Sequence, residues 1–402
     1  MHLPLYKEAL EQALSIVPKI VEQETVPLAI ATQRVLACDM VADRDLPPYD
    51  RSQMDGYCVV AGDIHRGSSL EVVDSIAAGG SSQIKTKPGT CVAIATGAPV
   101  PLQFDAVVQH ELTDRGDLEG THVTFDVEQV AVGSAIHQKG VDAACGDVLV
   151  PAGTTITGQH IGIAGSVGRS DLPVVREPRV VILTSGDEVV APDQTPAMHQ
   201  IRNSNGVMVA SLFNSFGCEV ISQRHLHDDV EITIREVKES VSMCDLLITV
   251  GGISAGDRDY FPEAFEAAGV EFAVRGASIQ PGKPVMIGRG NASLVLGLPG
   301  NPVSALVCSH LFGLPVVRTM LGARATSSWV NLPLASSVMP NKRRTAFRPC
   351  SIVEGKIVIP QWQGSGDLAH TSQTSGLARL PMLDHEIPAG ELVPYLGFQS
   401  LS

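Results

Sequence analysis

The sequence predicts a multidomain α/β plus β protein: a central, doubly wound, mostly parallel α/β domain with β-rich flanking domains and a C-terminal β-barrel-like domain. Three observations support that class. The chain has 402 residues, whereas one core usually serves roughly 100–200. From Arg179 onward, near-continuous apolar segments alternate with helical ones, the pattern of a parallel sheet covered on both faces. On either side of that stretch the chain turns to short Val- and Ile-rich runs broken by Gly and Pro, which read as β structure.

Taken in order, Leu5, Ala9, Leu10, Ala13, Leu14 and Val17 fall near helical spacing with Glu8, Glu11 and Gln12 between them, so residues 5–17 predict an amphipathic helix. The β-rich stretch from Pro47 to Val150 includes Thr90-Cys91-Val92-Ala93-Ile94-Ala95 and Ala106-Val107-Val108. Then come strand Val180-Val181-Ile182-Leu183, a helix at 205–216 stopped by Gly217, a strand at Glu219-Val220-Ile221 and a helix at 230–243. Strand 246–250, a helix at 260–268 stopped by Gly269, strands 285–287 and 293–298, and a helix opening at Pro302 complete the alternation. Val330 to Leu334, Ile352-Val353 and Ile357-Val358-Ile359 predict the barrel-like tail.

The formal net charge is −14, and the densest basic run is Lys342-Arg343-Arg344-Thr345-Ala346-Phe347-Arg348, which excludes broad attraction to nucleic acid or anionic membranes. The eight cysteines are scattered without a Cys-x-x-Cys, so they read as reduced thiols. The amino terminus lacks a basic segment followed by an apolar one, and no apolar run approaches the roughly 20 residues that span a bilayer. A soluble, cytoplasmic protein is the expectation.

Two strand ends carry the chemistry. Val250-Gly251-Gly252-Ile253-Ser254-Ala255-Gly256-Asp257-Arg258-Asp259-Tyr260 joins an apolar strand to a glycine turn and then to acids at a helix start. Its glycines let backbone N–H groups approach an anion, although the spacing is neither that of a dinucleotide loop nor of a P-loop. Leu298-Pro299-Gly300-Asn301-Pro302-Val303-Ser304-Ala305 repeats the design, with Asn301 placed to cap and Pro302 in the first turn. Ligands of parallel sheets bind beyond the carboxyl ends of the strands, so the two loops suggest one site.

Other motifs fit that site or a plainer role. Thr184-Ser185-Gly186-Asp187-Glu188 offers carboxylates to Mg²⁺, which favours oxygen ligands and bridges to phosphate, yet alone it also fits an ordinary polar turn. Lys283 in Gln280-Pro281-Gly282-Lys283-Pro284, and Arg344 with Arg348 in the basic run, offer cations to an oxyanion. Pro47-Pro48-Tyr49-Asp50-Arg51-Ser52-Gln53-Met54-Asp55-Gly56-Tyr57 reads as a site wall with Met54 turned into a core, and Gly140-Val141-Asp142-Ala143-Ala144-Cys145-Gly146-Asp147 as a hairpin turn. His225-x-His227 lacks companions at zinc spacing, and no Gly-x-Ser-x-Gly supports a hydrolase.

Together these blocks resemble the molybdopterin molybdotransferase family, MoeA and the gephyrin E domain, over essentially the full length. Asp50 to Tyr57 resembles D-N-S-A-M-D-G-Y, and Thr96-Gly97-Ala98-Pro99-Val100-Pro101 resembles T-G-A-P-x-P. Ser185 to Glu188 is similar to T-G-D-E, Gly251 to Tyr260 to G-G-V-S-x-G-x-x-D-Y, and Gly297 to Ala305 to G-L-P-G-N-P-V-S-A. The resemblance implies insertion of molybdate into adenylylated molybdopterin with release of AMP, assisted by Mg²⁺. It also implies a homodimer whose active cleft is shared between subunits, with a molybdopterin adenylyltransferase and molybdoenzymes as partners, and neither nucleic acid nor membrane.

The implied catalytic residues are Asp55, Thr96, Asp142, Glu188, Asp228 and Asp259, with Asp229 an equal alternative to its neighbour Asp228. Metal ligation falls to Glu188, Asp257 and Asp259. Substrate binding falls to Gly251, Gly252, Ser254, Gly256, Lys283, Pro299, Gly300, Asn301, Pro302, Ser304, Arg344 and Arg348. The implied domains are residues 1–46 with 146–177 for linkage and dimerisation, 47–145 around the Met-Asp-Gly-Tyr motif, 178–326 for molybdopterin, and 327–402 as the barrel. Arg51, Gln53, Cys58 and Gln280 depart from the pattern, the last removing an expected lysine. Two readings compete: a non-catalytic molybdopterin carrier or scaffold of the same fold, and an amidohydrolase sharing only the α/β domain.

Overall fold

A computed structural model describes residues 3–81, 87–114, 121–253, 259–325, 328–361 and 364–398. The chain forms two compact units, one of Met1–Cys38, Ala152–Ile161 and Asp171–Ser402, the other of Asp39–Pro151 and Gly162–Ser170.

The first unit centres on a six-stranded sheet. Its strands are β1 (Arg179–Ser185), β2 (Glu219–Leu226), β3 (Leu246–Val250), β4 (Glu271–Arg275), β5 (Met286–Arg289) and β6 (Leu294–Leu298), in the spatial order 2-1-3-6-5-4. Strands 2, 1, 3 and 6 run parallel, while β5 and β4 are added antiparallel at one edge. Every residue of β3 and β6 is buried, as a near-continuous apolar run requires when helices cover both faces. β4 escaped the sequence reading because Glu271-Phe272-Ala273-Val274-Arg275 is a three-residue apolar run between charges at a sheet edge, with only Val274 buried.

Helices α1 (Ser204–Ser215), α2 (Val230–Met243), α3 (Phe261–Ala267) and the helical run α4 (Pro302–Met320) connect and cover the strands. Caps explain where two of them begin: Asn203 Oδ1 accepts from Gly206 N at 2.9 Å, and Asp229 Oδ1 accepts from Ile232 N at 2.8 Å. α4 is long and apolar enough by composition to cross a membrane, contrary to the run-length expectation. Its stretch is almost wholly buried in the core, where a helix apolar on all sides belongs. The opening helix, Tyr6–Ser15, is present, but it buries Tyr6, Ala9 and Ala13, so the inward face is turned slightly from the leucine stripe.

The tail of this unit is a sheet of Val330–Pro333, Thr345–Val353, Gly376–Leu380 and Leu392–Gly397, with Lys356–Val358 paired to the long strand. A bridge from Leu334 to Ile357 links its two ends, giving the barrel-like form. The second unit holds a five-stranded sheet of Ala106–Gln109, Gly56–Val59, Thr90–Ile94, Ser69–Ile76 and His122–Thr124, in that order. A Cβ on Gly56 would stand 2.0 Å from Val108 O, so only glycine lets these strands pair. Met54, expected in a core, is 45% exposed because it sits in the turn before the strand, and Tyr57 is the core residue instead.

Candidate active site

The β2-β1-β3 order places a topological switch between β1 and β3, where the loops that follow the two paired strands lead away from each other. A cavity of about 980 Å³ lies beyond the carboxyl ends of β1, β3 and β6, lined by Ser185, Gly186 and Glu188, by Gly251 to Ile253 and by Pro299 to Pro302. Glycine makes the convergence possible. Gly251 and Gly252 have φ of 86° and 60°, and a Cβ on Gly252 would meet Phe261 and Ser185 Oγ at 2.8 Å. Gly251 N donates to Leu298 O at 3.0 Å, and Asn205 Nδ2 donates to Gly300 O at 2.6 Å, fixing the third loop to the start of α1.

Glu188, Asp228 and Asp259 all line this cavity. Asp187 acts differently. Its Oδ1 pairs with His227 Nδ1 and accepts from Asp228 N, both at 3.2 Å, stapling the β1 turn to the end of β2. Asp229 is engaged as the α2 cap, so of the adjacent pair it is Asp228 that lines the cavity. Ser254, Gly256 and Asp257 lie outside the described residues. Among the described residues no group of three His, Cys, Asp or Glu side chains is gathered to hold a metal.

Lys283, Arg344 and Arg348 line the same cavity. Gly282, with φ of 104°, allows the Lys283 turn, since a Cβ there would meet Cys308 Sγ at 2.4 Å. Asn341 Oδ1 accepts from Arg343 N at 2.8 Å and Arg344 N at 3.0 Å, while its Nδ2 donates to Gln280 Oε1 at 2.7 Å. The residue that replaces the expected lysine thus braces the turn that carries Arg344. Burial pushes the Arg348 guanidinium pKa down from its ordinary value.

Pro299, Gly300, Asn301, Pro302 and Ser304 are also in the lining, with Pro302 at the helix start as expected. The Asn301 side chain does not cap. Its Nδ2 donates to Ser365 Oγ at 2.8 Å instead, so the amide is spent on the neighbouring wall. Ser365, with Gly364 and Gly366, lines the cavity and was missed, although a Gly-Ser-Gly turn is a legible signal for close backbone approach. Asn203 and Asn205 were missed as well, although Asn203, just before the helix, is an N-terminus signal.

The other three predicted residues lie in the second unit. Gly56 pairs with Ile94 across antiparallel strands, which puts Asp55 beside Thr96. Asp55 Oδ1 accepts from Thr96 N at 2.7 Å and from Thr96 Oγ1 at 3.0 Å. These two bonds, the backbone one first, hold the Asp55 carboxyl below the usual carboxylate range. Asp142 Oδ1 pairs with His137 Nε2 at 2.9 Å, and His137 Nδ1 faces Gln53 Nε2 at 3.3 Å, so the departure at position 53 contacts this group.

The family described as the MoeA N-terminal region (domain I and II) matches residues 5–168, and that described as a probable molybdopterin binding domain matches 181–319. A protein of Synechococcus elongatus called molybdopterin molybdenumtransferase is 32% identical over 398 residues, covering 96% of this chain and 97% of the relative. The Bacillus subtilis protein of that name is 34% identical over 305 residues, 75% of this chain and 71% of its own. The solved structure of the molybdopterin biosynthesis moeA protein from Pyrococcus horikoshii OT3 has a TM-score of 0.84 at 26% identity, over 98% of this chain and all of that one (100%). With its two halves matched in order and a full-length relative above 30% identity, the chain belongs to the molybdopterin molybdenumtransferase family.

Proposed function

We propose that this protein is a molybdopterin molybdenumtransferase of molybdenum cofactor biosynthesis. It takes adenylylated molybdopterin and molybdate as substrates and releases AMP. The observation that carries the reading is one cavity at the switch point lined by three acids, Glu188, Asp228 and Asp259, and three cations, Lys283, Arg344 and Arg348. A substrate with a phosphoanhydride uses the cations to offset its anionic oxygens and the charge gained by the leaving AMP, and the acids to hold a divalent cation against them.

Lys283, Arg344 and Arg348 hold the phosphate oxygens, and the glycine loop admits the substrate close to the backbone. Mg²⁺ fits the donor set. The acids supply hard oxygen ligands, and Mg²⁺ typically keeps several waters while bridging to phosphate. Glu188 and Asp259 would hold it, with Asp257 the further expected ligand, and when bound it supplies charge neutralisation at the phosphoanhydride. The working form is a cytoplasmic homodimer in which Asp55, Thr96 and Asp142 of one subunit complete the cleft of the other. Its partners are the adenylyltransferase that supplies the substrate and the molybdoenzymes that take the product.

Single-turnover AMP release from adenylylated molybdopterin with Mg²⁺ and molybdate tests the reading, with tungstate in parallel for metal preference. Glu188→Gln and Asp259→Asn should each slow release by roughly two orders of magnitude. No AMP release by the parent chain would sink the transferase reading in favour of a carrier.

A further inference from the structure

His225 stands on β2, beneath the turn that presents Glu188, and neither its sequence motif nor the proposed chemistry gives it a role. Its two ring nitrogens have different partners: Nδ1 faces Thr184 Oγ1 at 3.0 Å, and Nε2 faces Gly186 O at 3.1 Å. A carbonyl oxygen only accepts, so Nε2 carries the proton, and in the neutral ring Nδ1 is then the acceptor. Thr184 therefore donates to Nδ1, and its oxygen accepts from Asn203 Nδ2 at 2.8 Å. The competing acceptor for that hydroxyl, Arg224 O, is farther, at 3.4 Å. A single directed line of hydrogen bonds thus runs from the cap of α1, through Thr184 and the imidazole, to the carbonyl of Gly186.

That carbonyl is where the turn is decided. Gly186 has φ of 130°, and its oxygen also accepts from Val189 N at 3.0 Å, closing the turn around Glu188. Glu188 O accepts from Ile201 N at 2.8 Å. The Glu188 carboxylate lies over Gly186, whose added Cβ would be 2.6 Å from Oε2. The Gly186 carbonyl and the Glu188 main chain belong to one closed turn, so rotation of the Gly186 peptide would disturb the backbone from which the carboxylate projects.

We propose that His225 is a positioning residue for Glu188, an imidazole fixed in the Nε2–H tautomer that locks the acid turn to the start of α1. The inference rests on the reading of Glu188 as a working acid, and its test separates the two. Nitrogen-15 NMR of the parent chain at alkaline pH should show His225 protonated at Nε2, and protonation at Nδ1 would overturn the relay. In AMP release, His225→Phe keeps the ring volume and loses both bonds, and should lower kcat roughly ten- to a hundredfold with KM little changed. His225→Gln, which reaches Gly186 O, should recover most of that loss, whereas the shorter His225→Asn should not.

Thr184→Val should give part of the same loss and add little to His225→Phe, because both cut one line. Additive losses, or parent-like turnover of the Phe variant, would overturn the proposal. If His225→Phe does not fold, the Gln, Asn and Val variants decide between the same two outcomes. A parent chain that releases no AMP defeats the transferase reading while the tautomer still decides the relay.

Discussion

In the cavity of the larger unit, each acid arrives on the loop after a different parallel strand or at the helix start beyond it, whereas Asp55 of the smaller unit precedes a strand whose antiparallel neighbour ends beside Thr96. The first arrangement gathers charges from separate loops and leaves them facing a space of about 980 Å³. The second ties one carboxylate to one residue through two short bonds, at 2.7 and 3.0 Å. A gathered site is assembled by topology and depends on what fills it. A tied carboxylate is finished locally, and its charge state is set before any ligand arrives.

The largest effect follows if both regions serve one reaction across the proposed dimer. Asp55→Asn and Glu188→Gln chains should each be nearly inactive alone. Co-expressed, they should regain about a quarter of parent activity, because half of the dimers are mixed and each mixed dimer has one intact cleft. AMP release by the co-purified mixture is the measurement. Activity no greater than that of the single variants would break the shared cleft and assign Asp55 and Glu188 to the same subunit.

Glycine substitutions sharpen the contrast further. Gly56→Ala drives a Cβ to 2.0 Å from the Val108 carbonyl oxygen, which is backbone and cannot step aside. Gly186→Ala instead meets the Glu188 carboxylate, the mobile end of a side chain, at the cost of strain at a φ of 130°. Gly56→Ala should lower stability by about 3 kcal/mol or more and lower the melting temperature of the unit. Gly186→Ala should cost about 1–2 kcal/mol yet displace the carboxylate, so turnover falls much further than stability. Equal melting temperatures for the two variants would show that the sheet can open around residue 56.

The same contrast governs what was readable in advance. β1, β3 and β6 announce themselves as apolar runs, and glycine or proline after each marks a loop at the carboxyl end, so Glu188, Gly251 and Pro299 were legible from spacing and the parallel-sheet rule. Ser365 and Asn205 were not assigned, because their place at the cavity rests on contacts to distant loops, Asn301 and Val303 for Ser365 and Gly300 for Asn205, and sequence spacing carries no such pairing even where a Gly-Ser-Gly turn marks a close backbone approach. Asp187, Asp228 and Asp229 look alike in the chain. They separate only when the fold makes one a staple, one a cavity wall and one a cap. Asp55 was legible only as part of a site wall, and Thr96 and Asp142 came from resemblance alone, since the register that joins Asp55 to Thr96 is a property of strand pairing.

The smallest effect tests whether Asp55 is finished locally. Two bonds from Thr96 depress its pKa, the backbone N–H contributing more than the hydroxyl, while burial opposes them weakly. Thr96→Val removes the hydroxyl and keeps the N–H, so the pKa should rise but remain below the ordinary carboxylate value. The sign for stability follows from linkage: a depressed folded-state pKa contributes stability that is present above the unfolded-state value and lost as pH falls through the folded one. The variant should therefore lose part of that contribution at neutral pH and match the parent once both carboxyls are protonated. Carbon-13 NMR titration of the Asp55 carboxyl in the two chains reads the shift directly. An unchanged titration would mean that the hydroxyl bond contributes nothing, leaving the backbone of Thr96 alone to keep Asp55 charged.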